Sequence, residues 1–563
     1  MRILLAALVA LSMLMQQPAG DRPAGNTRGT RSVVMARNGA IATSQPLATA
    51  AGLKVLQDGG NAIDAAVTAA AVLSVVEPTM NGPGGDLFAI VYSAKDHKVH
   101  GLNASGRAPA AATLDEFKKR NLQHVPLRGE LSVSVPGVVD GWNELLTKHG
   151  TRTLAQALEP AIRYARDGYA VSEIIAGQWK EVENLLSRDA KTAAVFLPGG
   201  KAPAPGDVFK NPALASSLEQ IAKGGRDVFY KGAIAKAIAD DMQRRNGLLT
   251  AEDLADHHAD WVEPLSTTYR GYQVLELPPN TQGVTALEML NILEGFDLKA
   301  LGHNTAAYLH VMVEAKKIAF ADRGAWIGDP STTPPKAIER MLSKEYAAER
   351  RKEINPDKAS EYKALTLTGT APPPADPEPA GRGDTIYMTA ADSQGNVISL
   401  IQSLYETFGS GIVAGDTGIV LHDRANLFSL TPGHPNQIAP GKRPFHTLVP
   451  AMVMKDGAPW LSFGVMGGDM QAQGHAQVLA NLIDFGMNVQ EAGEAPRFRH
   501  SGNGLALESA FTADARNGLT ARGHHVTGGT GAWGGFQGIL IDPKTRVLMA
   551  GSDPRKDGMA AGW

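Results

Sequence analysis

One threonine stands where a polar, glycine-containing stretch meets an apolar run. Thr385 follows the residues GRGD at 381–384 and opens the run TIYMTAA. If the chain were cut before it, Thr385 would carry both its hydroxyl and a free α-amine. A hydroxyl nucleophile and an amine base on one residue can together attack an amide carbonyl. The alternative is a β-branched residue that simply starts a strand, which is a common role for threonine.

The chain around Thr385 is predicted to form a β-hairpin. Two β-rich runs, TIYMTAA and VISLIQS, flank the turn sequence SQGN at 393–396, as in a hairpin. Side chains alternate between the two faces of a strand, so Ser399, Ile401 and Ser403 share one face of the second strand. A proline-rich linker, APPPADPEP at 371–379, precedes the hairpin. Thr385 is therefore predicted to lie at the start of a core strand, directly after a polar linker.

Composition limits the class of protein. The chain has 563 residues, 43% hydrophobic and 20% charged, which is typical of a soluble globular protein with one large or two average domains. A net charge of −3 offers no basic surface for nucleic acid, so no nucleic-acid partner is expected. The chain has no cysteine, which excludes disulfides, a cysteine nucleophile and thiolate metal sites.

No metal or cofactor is expected. The pairs His257-His258 and His524-His525 are adjacent in sequence, and neighbouring residues do not share a helix face, so they are poor metal ligands. The chain also lacks the common zinc-protease and phosphate-binding motifs.

The N-terminus has the shape of a secretory signal. Residues 1–20 hold one arginine and then an apolar run from Ile3 to Met15, shorter than the roughly 20 residues of a membrane span. A buried N-terminal helix or an uncleaved anchor is the alternative. Residues 21–31 are predicted to be a disordered lead-in. We therefore expect a periplasmic or secreted protein with no stable membrane insertion once the leader is removed.

Hydrophobic periodicity predicts a mixture of helices and strands. The patterns indicate a strand from Val33 to Ala42, a helix from Ala62 to Val76 and mostly helices over 114–250. A later strand is predicted from Ile419 to His422 and a helix from Gln471 to Phe485. These patterns alone indicate mixed α and β structure with a helical insertion.

Several separated motifs occur along nearly the whole chain after the leader. They are GGNAIDAAVTAAAVLSVVEP at 59–78, GPGGDLF at 82–88, SVPGVVDGW at 134–142, ELPPNTQG at 276–283, FGSG at 408–411, PGKRP at 440–444 and GGD at 467–469. In this order they resemble the γ-glutamyltransferase (glutathione hydrolase) family of N-terminal-nucleophile hydrolases. The resemblance implies an α+β fold, the four-layer αββα sandwich, with a helical insertion.

The resemblance also implies a precursor that cuts itself between Asp384 and Thr385. The Thr385 hydroxyl would attack the Asp384 carbonyl, the acyl group would shift from nitrogen to oxygen, and water would cleave the ester. The products would be a large chain, 32–384, and a small chain, 385–563. In the mature enzyme Thr385 would attack a substrate amide and pass the acyl group to water or to an amino-acid or peptide acceptor.

Two further catalytic positions match the family. Ser403 matches the threonine that hydrogen-bonds the nucleophile, and Gly467-Gly468 matches the pair that donates to the oxyanion. The glycine pair also precedes a predicted helix, where the first N–H groups point outward. Gly-Gly is equally common in ordinary strand-to-helix turns, which is the alternative interpretation.

The carboxylate-binding position departs from the family's pattern. Where the family usually holds the glutamyl α-carboxylate with an arginine, this chain has Ser105, and Arg107 follows two residues later. In an extended chain these two positions share a face, so Arg107 could reach the same space.

Other substrate-binding positions depart as well. Tyr405 stands where the family usually has an asparagine, Leu427 replaces the aspartate that pairs with the substrate amine, and His446-Thr447 replaces a Ser-Ser pair. A buried ammonium without an acidic partner is costly. The cephalosporin-acylase-like branch of the family shows such a tyrosine and lacks strict amine recognition.

Three functions follow as hypotheses. The first is hydrolysis or transfer of γ-glutamyl compounds such as glutathione. The second is hydrolysis of glutaryl or other acyl amides. The third, from another class, is a secreted binding protein without activity, which would remain one chain on a denaturing gel.

Overall fold

The computed structural model describes residues 30–367, 384–502, 504–528 and 533–563, and for Asp384 it describes the backbone alone. The expected leader at 1–20, nearly all of the lead-in at 21–31 and the linker at 371–379 lie outside these ranges. No helix in the described ranges is long and apolar enough to cross a membrane.

Two seven-stranded antiparallel sheets form the centre of the molecule. The first contains, in spatial order, β1 (Val34–Ala36), β18 (Leu548–Ser552), β17 (Phe536–Ile541), β13 (Ala458–Val465), β12 (Ala451–Lys455), β9 (Tyr272–Glu276) and β8 (Leu265–Tyr269). The second contains β19 (Met559–Gly562), β2 (Gly39–Thr43), β10 (Asp384–Asp392), β11 (Val397–Tyr405), β3 (Asp86–Ser93), β4 (Lys98–Ala104) and β7 (Asp260–Val262).

Two small sheets lie outside this pair. One joins β14 (Phe498–Ser501), β15 (Gly504–Leu507) and β16 (His525–Gly528), and the other joins β5 (Tyr169–Ala170) and β6 (Val208–Phe209).

The helices cover the outer faces of the two large sheets. Between β2 and β7 they are Pro46–Gln57, Ala62–Val76, Leu114–Lys119, Val138–His149, Leu154–Asp167, Glu173–Glu181, Glu183–Leu186, Ala190–Phe196, Pro212–Gly224, Arg226–Tyr230, Ala233–Arg244 and Ala251–Ala255. Later helices are Gly283–Leu293, Leu298–Leu301, Ala306–Trp326, Pro335–Leu342, Lys344–Arg351, Met470–Ile483, Val489–Glu494 and Ala513–Ala521. Short 3₁₀ turns occupy Glu130–Ser132, Pro198–Gly200 and Arg424–Leu427.

Three apolar clusters define four layers. One packs the earlier helices on the second sheet, another packs Gly283–Leu293, Ala306–Trp326 and Met470–Ile483 on the first sheet, and a third lies between the two sheets. The order is helix, sheet, sheet, helix, so the predicted αββα sandwich with a helical insertion is confirmed.

Local signals placed several elements correctly. The helix Ala62–Val76 begins at a capping box, in which the Asn61 side chain accepts from the Asp64 N–H and the Asp64 side chain accepts from the Asn61 N–H. Every residue of this helix is buried, because its small side chains allow close packing on both sides.

Two strand predictions were wrong. The predicted strand Val33–Ala42 is two strands in different sheets, since the chain crosses between them at 37–38, where both N–H groups donate to the Trp563 carbonyl. The predicted strand Ile419–His422 makes only isolated bridges, Val413 to Val420 and Gly84 to Leu421.

Candidate active site

Thr385 lies at the beginning of β10 and is 1% exposed. Its hydroxyl donates to Ser403 Oγ at 3.4 Å, and Ser403 Oγ also accepts from the Tyr405 N–H at 2.7 Å. The pairing shifts here: Asp384 faces Tyr405 but Ile386 faces Gln402, so one residue of β10 opposes two of β11. Such a bulge re-aims a side chain at a strand end, and here it turns Thr385 toward Ser403.

Contacts between the sheets locate Thr385 relative to β13. Thr389 Oγ1 donates to Ser462 Oγ at 2.7 Å, and a Cβ on Gly464 would lie 2.4 Å from Tyr387 Cε2. Residues 389 and 387 thus face 462 and 464, and side chains of one face recur every two residues. If this register continues by one step, Thr385 faces Met466, directly before the glycine pair 467–468.

The glycine pair adopts a backbone that side chains disfavour. Gly467 has φ 106° and Gly468 has φ 59°, in the left-handed region that favours glycine. Their carbonyls accept from the first N–H groups of the helix Met470–Ile483. Within the described ranges neither glycine N–H has an acceptor, so both donors remain available to a ligand.

The loop ELPPNTQG holds the glycine pair in place. Gln282 Nε2 donates to the Gly468 carbonyl at 3.2 Å and to the Thr447 carbonyl at 2.8 Å. Arg323 Nη1 donates to Gln282 Oε1 at 2.6 Å and to Asp469 Oδ1 at 2.7 Å. Both side chains fix the carbonyl side of the turn, which leaves the N–H side open.

A buried carboxylate, Asp86, joins several strands beneath the site. Its Oδ2 lies 3.0 Å from His422 Nδ1 and 3.1 Å from His446 Nε2, and its Oδ1 accepts from the Gly106 N–H at 2.8 Å. Burial alone would raise the pKa of Asp86, but His422 and then His446 outweigh it and hold that pKa well below its usual value. Asp86 is therefore a carboxylate.

His446 belongs to the same cluster but stays neutral. Burial, and then the charge of Arg424, lower the pKa of His446 to about 3. Its ring meets Phe88 edge-on with centroids 4.7 Å apart. Predicted from sequence as substrate-binding, His446 is fully buried and hydrogen-bonded to Asp86.

Arg424 is the cation of this cluster, and sequence reasoning missed it. It is 0% exposed, its Nη1 donates to Thr447 Oγ1 at 3.1 Å, and its Cζ lies 4.5 Å from the centre of the Tyr405 ring. The one sequence feature that could have identified Arg424 is its position three residues before Leu427. The structure brings Arg424, Thr447 and Tyr405 together, the last two as sequence-predicted site residues.

Tyr405 and Leu427 lie in one apolar cluster with Trp326 and Phe445. Tyr405 has φ 80° at the end of β11, an uncommon conformation for a residue with a side chain, and burial raises its pKa well above the usual value. The position of the aspartate that pairs with the substrate amine in the family's pattern is thus occupied here by Leu427 within an apolar cluster.

Ser105 and Arg107 have separate partners. Ser105 Oγ donates to Asn103 Oδ1 at 2.7 Å and accepts from Arg443 Nη1 at 3.2 Å. Arg107 Nη2 lies 2.9 Å from Asp260 Oδ2, which also accepts from Arg443 Nη2 at 2.6 Å. The arginine that contacts Ser105 is therefore Arg443. It belongs to the PGKRP motif, to which the sequence analysis assigned no role.

One group in the described residues has the donor types of a metal site. The donor atoms of His310, Glu314 and His524 lie within 4.8 Å of one another. His310 Nδ1 and His524 Nε2, however, are hydrogen-bonded at 2.7 Å, and Lys317 Nζ is 3.0 Å from Glu314 Oε1. An ammonium at the carboxylate disfavours a second cation, so this group is better described as a hydrogen-bond network.

Comparison with known proteins decides the family. The family model described as gamma-glutamyltranspeptidase matches residues 48–563. The chain belongs to this family. The sequence resemblance is thereby confirmed, and the protein is an enzyme of the hydrolase and transferase type.

Individual relatives include both glutathione hydrolases and a cephalosporin acylase. The chain is 40% identical, over 92% of its length and 97% of the relative, to the glutathione hydrolase-like YwrD proenzyme of Bacillus subtilis (strain 168). It is 35% identical to the glutathione hydrolase proenzyme of Escherichia coli (strain K12), over 100% and 99% of the two chains. The crystal structure of cephalosporin acylase from Bacillus halodurans superposes with a TM-score of 0.88 at 42% identity, covering 96% of this chain and 99% of that one. The expected similarity to the acylase-like branch is confirmed.

Proposed function

We propose that this chain is a precursor that cuts itself before Thr385 and then uses Thr385 as the nucleophile of an amide hydrolase and acyltransferase. The observation that carries the proposal is the hydrogen bond that holds the Thr385 hydroxyl against Ser403 at a bulge. The contacts of Thr389 with Ser462 and of Tyr387 with Gly464 run toward Gly467-Gly468 and support it. The names of the relatives, glutathione hydrolase and acylase, agree with chemistry on an amide bond.

The cut requires the Thr385 hydroxyl to attack the carbonyl of Asp384. The Thr385 nitrogen leaves as the new α-amine once the acyl group has moved to Oγ1, and water then cleaves that ester. An α-amine titrates at about 7.7 to 8.0, so near neutral pH it can take the proton of the hydroxyl in later turnovers. Gly467 and Gly468 would donate their N–H groups to the oxyanion, which is commonly the largest single stabilisation in acyl transfer.

The proposed products are a large chain, 32–384, and a small chain, 385–563. Residues 1–20 are proposed to be a signal peptide that directs the precursor to the periplasm or outside the cell. The acyl acceptors are proposed to be water and amino acids or peptides.

Two acyl donors compete within this function. Glutathione and other γ-glutamyl compounds are the donors suggested by the relatives' names, and glutaryl-type amides are the second candidate. Leu427 and Tyr405 favour the second, because the amine of a γ-glutamyl group would lie against apolar side chains, and an unpaired buried charge is costly. We expect glutaryl p-nitroanilide to be cleaved at least as well as γ-glutamyl p-nitroanilide. A tenfold or greater preference for the γ-glutamyl donor would contradict this choice.

The test of the nucleophile is Thr385→Ala. The purified wild-type protein should run as two bands on a denaturing gel, and N-terminal sequencing of the smaller should read TIYMTAADSQ. The variant lacks the attacking hydroxyl, so it should remain one chain and cleave no anilide. If the variant is cut at the same position, Thr385 is not the nucleophile, and if the wild type remains whole and inactive, a binding protein is the better description.

A further inference from the structure

The guanidinium of Arg424 is buried and makes one hydrogen bond with the described residues. Its side chain is 0% exposed, and Nη1 donates to Thr447 Oγ1. Nε and Nη2 have no hydrogen-bond partner in the described part of the chain. An arginine remains charged in proteins, and a buried charge without its hydrogen bonds is strongly destabilising.

The carboxylate of Asp86 does not supply the missing hydrogen-bond acceptors of Arg424. Asp86 Oδ2 is 3.8 Å from Arg424 Nε, beyond hydrogen-bond distance, and that oxygen already lies at hydrogen-bond distance from His422 and His446. Burial lowers the pKa of Arg424, with Asp86 opposing that shift. Asp86 thus offsets the positive charge of Arg424, but it does not accept a hydrogen bond from Nε or Nη2.

Arg424 is also close to the proposed nucleophile. Its Cζ stacks on the Tyr405 ring, the Tyr405 N–H donates to Ser403 Oγ, and Ser403 Oγ accepts from Thr385. Arg424 and Leu427 begin and end one 3₁₀ turn, where residues three apart lie on the same side. The side of the site that would meet a substrate amine therefore carries a cation and an apolar side chain.

We propose that Arg424 and Thr447 form the subsite that binds a carboxylate of the acyl donor, so that the enzyme prefers half-amides of dicarboxylic acids to donors with an α-amine. This inference rests on the proposed function and names the class of donor. Nε and Nη2 form one edge of the guanidinium and can donate in parallel to two carboxylate oxygens, the strongest geometry for such a pair. Thr447 Oγ1 accepts from Nη1, and its own proton remains available to the same carboxylate.

An ammonium is disfavoured by the same arrangement. A γ-glutamyl group carries its carboxylate and its ammonium on one carbon, so binding the carboxylate at Arg424 brings the ammonium close to the guanidinium. Like charges at short range repel, and Leu427 supplies no counter-charge. A glutaryl group has the carboxylate alone and avoids this repulsion.

The experiment compares charged and neutral donors on arginine variants. The donors are glutaryl p-nitroanilide and its methyl ester, which has the same chain without the negative charge. Arg424→Gln should lower kcat/KM for the glutaryl donor about ten- to a hundredfold, the range for one charge-assisted contact, and should change kcat/KM for the ester less than about threefold. For the glutaryl donor, kcat/KM of Arg424→Lys should lie between the values of wild type and Arg424→Gln, because lysine retains the charge but not the planar edge.

Two other arginines make the comparison specific. Arg166 lies at the surface with 56% of its side chain exposed. Arg166→Gln also removes one positive charge, but it should leave kcat/KM unchanged for both donors. Arg107 is the carboxylate anchor expected from sequence, so Arg107→Gln tests the competing assignment. A selective loss with Arg107→Gln and none with Arg424→Gln would overturn the inference, as would equal losses on both donors with Arg424→Gln.

Binding provides a readout that does not depend on turnover. Calorimetric titration with glutarate should give a dissociation constant about ten- to a hundredfold weaker for a folded Arg424 variant than for wild type, whereas butyramide, which has no carboxylate, should bind both equally weakly. Melting temperature and self-cleavage show whether Arg424→Gln folds. If it does not, Arg424→Lys is used for the glutarate titration. A wild-type chain that is never cut, or cleaves no anilide, contradicts the proposed function, whereas identical glutarate binding by wild type and variant contradicts the subsite alone.

Discussion

At the scale of single residues, Ser403 connects the proposed nucleophile, Thr385, to the end of β11. Its Oγ accepts from both the Thr385 hydroxyl and the Tyr405 N–H, so it orients the Thr385 hydroxyl and stabilises the unusual backbone of Tyr405. Ser403→Ala removes both hydrogen bonds and leaves the Tyr405 N–H without this acceptor. We expect self-cleavage and kcat/KM each to fall about ten- to a hundredfold, corresponding to roughly 1–3 kcal/mol.

Ser403→Thr is the matched control, because it keeps the oxygen and has the residue type of the family at this position. It should restore most of the rate, measured by the time course of band splitting and by anilide hydrolysis. Full activity in the alanine variant would show that Thr385 is oriented by other contacts.

At the scale of elements, the close approach of β13 to β10 sets where the glycine pair lies relative to Thr385. A Cβ on Gly464 would lie 2.4 Å from Tyr387 Cε2, and this ring is fully buried with its hydroxyl 2.7 Å from Ser399 Oγ. Gly464→Ala therefore forces the two sheets apart. We expect a loss of about 1–3 kcal/mol in the free energy of unfolding and slower self-cleavage, measured by denaturant titration and by gel.

Gly177→Ala is the control for the glycine substitution itself. Gly177 lies in the helix Glu173–Glu181, and beyond the backbone of that helix a Cβ there would meet no described atom within 4 Å. Because alanine favours helix by up to about 1 kcal/mol over glycine, this variant should be as stable as wild type or more so. Equal stability of the two alanine variants would contradict the packing argument.

At the scale of the whole molecule, the proposed cut does not separate two bodies. In the first sheet β1, β8 and β9 precede the cut and β12, β13, β17 and β18 follow it, while in the second sheet β10 pairs with β2 from the large chain and with β11 from the small chain. Both sheets contain strands of both chains, so separating the chains would break the hydrogen bonds and the core of each sheet. The fold therefore predicts that the two chains stay together after cleavage.

Size-exclusion chromatography in native buffer should give one peak that contains both bands of the denaturing gel. The two chains should separate only at denaturant concentrations that unfold the protein, as followed by circular dichroism. Elution of the small chain alone in native buffer would contradict the interleaved arrangement.

The sequence by itself determined the features that depend on neighbouring residues and on ordered motifs. The hairpin beginning at Thr385 and the helix Ala62–Val76 were predicted correctly, because turn residues and helix caps act over a few positions. The ordered motifs predicted the family and the layered fold. A predicted strand at 33–42 was wrong because the chain changes sheets within it, and no local pattern records which sheet receives each half.

Only the tertiary structure decided which charges meet around the candidate site. Asp86 reaches His422 and His446 across more than 300 residues, and Arg443 reaches Ser105 across a similar separation. In the sequence Arg424 looks like an ordinary polar residue of a loop, since most arginines are exposed. Its burial and its unused nitrogens arise from strands and loops far apart in the chain, and the proposed choice of acyl donor depends on them.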